Sequence, residues 1–199
     1  MTDLRALHQR ALDDGRPLLD RVGAADLDRP TPCAGWDLRA LVAHLIGQNH
    51  GFAEAVDSAA AGVDAPRSAF AARPADPDAV GLEWWASAER LVSAFAAASL
   101  DRPVLLVEIS EQVRFPIGTA VGFQLLDTVV HNWDVATALG SAYRPDDELV
   151  TATLAQARRV PDGPQRRAPG AAFAPALAAP GGDEWELTLA LLGRPAAAI

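Results

Sequence analysis

Residues 125–140 read LLDTVVHNWDVATALG, an apolar run interrupted by Asp127 and His131. In a helix, positions i and i+4 differ by only about 40° around the axis, so both side chains project from one face. A buried aspartate is costly unless it is paired or metal-bound. From the residues alone, Asp127 is open to three partners: an arginine in an internal salt bridge, the ring of His131, or an ion held jointly with His131. A second imidazole, His44, lies in another helix-like segment, LRALVAHLIGQNH, at residues 38–50. A single histidine on an apolar helix is more often packed or hydrogen-bonded than ligating. If it meets the pair across a bundle, however, two imidazoles and one carboxylate share a site. Such a set leaves coordination positions free for water, thiol or substrate.

The rest of the chain supports a helical bundle. With 199 residues, half of them hydrophobic and 6% aromatic, its core must be built largely from Ala, Leu and Val. A net charge of −9 argues against a phosphate backbone or an anionic membrane surface as partner. One cysteine excludes an internal disulfide and any multi-cysteine metal site, and fits a reducing cytoplasm. No stretch reaches the roughly 20 apolar residues that span a bilayer, and the charged N-terminus lacks a signal-peptide core.

Leu4, Leu7, Ala11, Leu18, Leu19 and Val22 predict a first helix, kinked or broken after Gly15 by Pro17. DRPTPCAGW, residues 28–36, is an ordered turn, and Asp37 is the N-cap of a second helix reaching about Ala60, without a capping-box partner at Ala40. A Pro/Ala/Asp-rich crossover over 62–78 precedes a third helix from about Pro77 to Ala98, with Leu82, Trp85, Leu91, Val92 and Phe95 available for burial. RPVLLVEISEQVRFPIG, residues 102–118, reads as a short hairpin or irregular crossover. Helix four, about Thr119 to Leu139, ends at Gly140, suited to a left-handed cap. A further helix is expected over 148–159, then a Pro/Gly/Ala-rich surface segment, then a docking helix in EWELTLALLGR, residues 184–194. Residues 1–145 are thus expected to form the bundle, and 146–199 an extension packed on it.

TPCAGWDLRALVAHLIG (31–47), LLDTVVHNWDVATALG (125–140) and the ending FAPALAAPGGDEWELTLALLGRP (173–195) resemble the DinB-like metal-binding superfamily. Specifically, they resemble the branch containing the metal-binding domain of mycothiol-dependent maleylpyruvate isomerase, and the resemblance covers nearly the whole chain. It implies an all-α, DinB-like four-helix bundle with a long crossover and a short C-terminal extension. It also implies that His44, Asp127 and His131 match the divalent-metal ligands, for zinc first, with iron and nickel as alternatives. The isomerase has glutamate where this chain has Asp127, so the shorter carboxylate bears on metal and geometry. By the same resemblance the chain is a thiol-dependent transferase or isomerase, using mycothiol as small-molecule thiol and acting on a small electrophile. The rival readings are a noncatalytic metal-binding stress or sensor protein, a structural protein, and a metal-dependent hydrolase.

Other side chains carry weaker signals. Gln48, within 40° of His44, is a polar pocket contact, and Asp134, one turn beyond His131, is an acceptor for its imidazole, a solvent-facing group or an arginine partner. His50 points away from His44. Cys33 would be about 16 Å from His44 along a continuous helix. It is therefore expected at the helix entrance as a packing residue, with a redox-active thiol as the lesser reading. Trp36 and Trp133 suit packing better than substrate stacking, and His8, lacking a visible partner, is expected at the surface. One of Trp84 and Trp85 should face the core, and the other a helix–helix or homodimer contact.

Overall fold

The computed structural model describes residues 3–33, 35–168, 171–178 and 181–195, so residue 34 of the TPCAGW turn and residues 179–180 of the family-like ending fall outside it. The helices are α1 (Arg5–Leu19), α2 (Leu38–Ala60), α3 (Val80–Ala97), α4 (Ile117–Ala138), α5 (Asp147–Ala157) and α6 (Glu184–Leu191). A two-stranded antiparallel hairpin, β1 (Pro103–Leu105) with β2 (Arg114–Pro116), stands between α3 and α4, with Val104 opposite Phe115.

α2 packs on α3 and α4, and α1 packs on α3 and α4, closing a four-helix ring, while α5 rests on α4 and α6. The all-α, DinB-like bundle with its crossover is the architecture expected above. Its centre is filled by buried residues such as Leu12, Leu41, Trp84, Leu91, Phe95, Leu125 and Val129. Each large apolar side chain so enclosed contributes about 1.5–3 kcal/mol relative to exposure. α1 and α4 approach closely at Gly15, where a Cβ would lie 2.4 Å from Asn132 Oδ1. Asn132 completes the junction by donating from Nδ2 to the Ala11 carbonyl at 2.8 Å.

The two helices that carry the candidate donors are set by local chemistry. The Asp37 carboxylate accepts from the Ala40 N–H at 2.8 Å, as an N-cap should. Ahead of it the 28–36 turn is closed by Thr31 Oγ1 donating to the Trp36 carbonyl and by Leu38 N–H donating to Arg29. At the other end of the pairing, Gly140 has φ +66°, its N–H bonds Thr137 O, and the Ser141 N–H bonds Ala136 O. Those two bonds form a Schellman cap, so α4 stops where the glycine stands.

Three expectations need correction. α1 runs unbroken through Pro17 to Leu19; the proline lies in the last turn, and burial of Leu18 and Leu19 holds that turn in place. Leu82 is 72% exposed, and Trp84 rather than Trp85 fills the core from that stretch. Trp85 is half-buried beneath the Arg16 guanidinium, 4.4 Å from its ring centre. His8 is 1% exposed rather than at the surface, edge-on to Phe95 at 5.6 Å. The segment after α5 is pinned by Arg166, which is buried and donates to the carbonyls of Val160, Pro161, Ala174 and Leu191. No described helix is long and apolar enough to cross a membrane.

Candidate metal centre

α2 delivers His44 and α4 delivers Asp127 and His131 to one point between the helices. One donor atom from each lies within 4.8 Å of the others. Asp127 Oδ1 is 3.3 Å from His131 Nε2 and 3.9 Å from His44 Nε2. Two donors each at about 2.0–2.1 Å from a tetrahedral zinc stand about 3.3 Å apart. The three side chains therefore fit a divalent cation with little movement. His44 and Asp127 keep roughly a quarter of their side-chain surface exposed while His131 is nearly enclosed, so the cluster opens to solvent on one side. Among the described residues no other group of three such donors comes together.

The electrostatics match that arrangement. Burial works against the charge on Asp127, but His131 and His44 outweigh it and hold the carboxyl well below its ordinary range. Burial also opposes a proton on His131, yet Asp127 and Asp134 on either side pull its pKa up to about 9. Without a cation, a proton on His131 neutralises the cluster, and a cation binding there must displace it.

Asp134 has two of the partners open to it in the sequence. Its Oδ2 lies 2.8 Å from His131 Nδ1 and accepts from Arg194 Nη2 at 2.7 Å. It is fully buried. Gln48 is also buried, and donates from Nε2 to Glu108 Oε2 in the hairpin loop at 2.5 Å. His50 stands outside the donor cluster. Trp133 is buried among Leu125, Val129, Leu149, Val150 and Trp185, as packing requires. Trp36 packs against the core as expected, and its ring also walls the site, with its centre 4.7 Å from that of His44 and 6.5 Å from that of His131.

Cys33 stands outside the donor cluster and lies against Arg194. Burial pushes its thiol up to about 11, leaving it protonated and unreactive at neutral pH. Arg194 itself escaped sequence reasoning. The only local signal was a Gly-Arg pair after an apolar helix; its partner is 60 residues away in the chain.

A sequence profile for the mycothiol maleylpyruvate isomerase N-terminal domain matches residues 8–136. The chain belongs to this family. The match spans α2 and α4 and all three candidate donors, whereas Arg194 comes from beyond it. Uncharacterized proteins from two strains of Mycobacterium tuberculosis are 34% identical over 172 residues, covering 84% of each chain. The bundle also superimposes on solved structures of a mycothiol-dependent maleylpyruvate isomerase and a mutant of it, with TM-scores of 0.60 and 0.62 at 18% identity. The superposition takes in 76% of this chain and 66% of theirs. At that identity the likeness speaks for the fold, and the chain spans about two thirds of the isomerase's length.

Proposed function

We propose that His44, Asp127 and His131 hold a divalent cation, zinc in the first instance, and that the centre serves a thiol-dependent transferase or isomerase. The observation that carries this reading is the convergence of three donors from two helices at metal-ligand separations, open on one side. Family membership supplies the thiol: the related isomerase is named for its dependence on mycothiol. A bound divalent cation supplies positive charge that lowers the pKa of a thiol or of water at neutral pH.

The chain's own residues do the rest. Asp127 contributes the one negative charge among the donors, and His44 and His131 contribute neutral nitrogens once His131 has released its proton. Trp36 shields both rings on one side, limiting access to the open face. Cys33, held neutral by burial, does not compete with an incoming thiol. In the reaction the thiol loses its proton and its sulfur forms a bond to an electrophilic carbon. The π bond at that carbon breaks and its electron pair takes up a proton, so a transfer leaves a neutral adduct; in an isomerisation the carbon–sulfur bond breaks again, the π bond re-forms and the proton returns to the thiol. The described part of the extension that begins at residue 146 packs on the bundle through α5 and α6 as an accessory to this centre, and the setting is a reducing cytoplasm.

The test is metal analysis of the gently purified protein, followed by cobalt substitution and titration with mycothiol. The expected result is one ion per chain and a change in the cobalt absorption bands on adding thiol, with turnover of a small electrophile. A protein that takes up no ion on reconstitution refutes the reading. One that binds cobalt but ignores thiol, while hydrolysing esters or amides, points to a hydrolase instead.

A further inference from the structure

Asp134 and Arg194 form a buried ion pair at the back of the candidate centre, with side chains 0% and 3% exposed. The guanidinium grips the carboxylate in a fork: Nε is 3.0 Å from Oδ1 and Nη2 is 2.7 Å from Oδ2. Nη1 donates to the Leu192 carbonyl at 3.1 Å. Oδ2 is shared, because His131 Nδ1 reaches it at 2.8 Å. With both oxygens engaged, the carboxylate cannot rotate away from the imidazole. An acceptor at Nδ1 makes that nitrogen the N–H and leaves the Nε2 lone pair for a cation.

Arg194 is delivered by the way α6 ends. Gly193 has φ +76°, its N–H bonds Ala190 O at 3.0 Å, and the Arg194 N–H bonds Leu189 O at 2.9 Å. This Schellman cap turns the chain back toward α4. A Cβ on residue 193 would stand 2.7 Å from Ala174 Cβ and 2.8 Å from two carbonyl oxygens, so glycine is required for space as well as for φ. The Phe173 ring lies 5.7 Å from the guanidinium carbon, and Cys33 touches the same group. Three segments distant in sequence thus meet on one arginine.

We propose that Arg194 is a positioning residue of the metal centre: it locks Asp134, which holds the His131 ring with Nε2 toward Asp127 and His44, and so couples docking of the C-terminal tail to metal affinity. The inference rests on the metal reading above. A tail that served only to cover the bundle would need no charged group at this point, since burying an ion pair gains little over apolar packing.

The coupling is reciprocal, so it is readable in the unaltered protein. Adding zinc to the wild-type chain should slow amide hydrogen exchange across residues 184–194 as well as at α4. Arg194→Met should stay helical by circular dichroism and lose about 10- to 100-fold in zinc affinity, the range for an outer partner of a ligating histidine. Arg194→Lys should recover part of it, because lysine restores the charge without the fork. Should Arg194→Met fail to fold, the double variant D134L/R194M removes the pair without stranding a charge and should show the same loss. Zinc affinity within twofold of wild type in a folded variant, or wild-type exchange across 184–194 that ignores zinc, overturns the proposal while leaving the metal reading intact. A wild-type chain that binds no zinc removes both.

Discussion

His8 and His131 are both withdrawn from solvent, at 1% and 3% exposure, yet their pKa values move in opposite directions. Burial dominates at His8, whose ring faces Phe95 and whose Nε2 has no hydrogen-bond partner among the described residues. It falls to about 4, with only a distant pull upward from Asp127. His131 is as deeply buried but lies between two carboxylates, and it rises to about 9. Equal burial therefore says little about the charge a histidine carries; the neighbours decide the sign. His8 is kept neutral as a packing element, and His131 is kept polar and oriented, as its proposed role as a ligand requires.

The largest effect that would break this contrast is on metal uptake. On the metal reading, His131→Ala should weaken zinc binding on the order of a thousandfold, since it removes one of three proposed ligands to an ion whose binding is typically worth roughly 10–16 kcal/mol in a closed site. His8→Leu should leave it unchanged. Competition with a fluorescent chelator measures both, and a His8→Leu protein that loses zinc would show the two histidines to be one system.

The next effect is on stability against pH in the metal-free protein. The unfolded chain takes up a proton at His8 near pH 6.5, whereas the folded chain resists until about 4. His8 therefore stabilises the fold above pH 6.5, and that contribution of about 3 kcal/mol is lost as pH falls toward 4. His131 behaves oppositely: its folded value lies above 6.5, so its contribution is complete below pH 6.5 and fades as pH rises through about 9. Urea unfolding across this range should show both limbs. His8→Leu should flatten the acid limb alone, and an acid limb of unchanged slope would contradict the assignment.

The smallest effect concerns the ring beside His8. Phe95→Leu removes the edge-to-face contact while nearly keeping the volume, and should cost about 1–1.5 kcal/mol, seen as a lower melting temperature without any change in zinc affinity. A larger loss would mean that the aromatic contact, more than burial, holds His8 in place.

The parts of the fold that were legible in sequence are those written locally. The Asp37 cap, the Gly140 stop and the i, i+4 pair of Asp127 and His131 each depend on residues within one or two turns. His8 was misplaced because nothing nearby reveals Phe95, which arrives from α3. Leu82 is exposed and Trp84 takes the core position because the apolar stretch supplies more hydrophobic positions than one helix face can bury, and only packing selects among them. Pro17 was overread as a break because its position within the last turn of α1 depends on where Leu19 is buried. Trp36 packs as its sequence suggests, but its place over two imidazoles depends on a turn closed through hydrogen bonds to Thr31 and Arg29.

Periodicity, caps and charge were enough to define the bundle's helices and to put a carboxylate and an imidazole on one face, because these are short-range consequences of backbone geometry. The meeting of His44 with that pair, the pocket of negative charge that lifts His131, and the arrival of Arg194 at Asp134 depend on helices packing across long stretches of chain. Side chains 60 or more residues apart acquire their chemistry from that packing, since a charge's pKa and a ligand's orientation are properties of its neighbours in space.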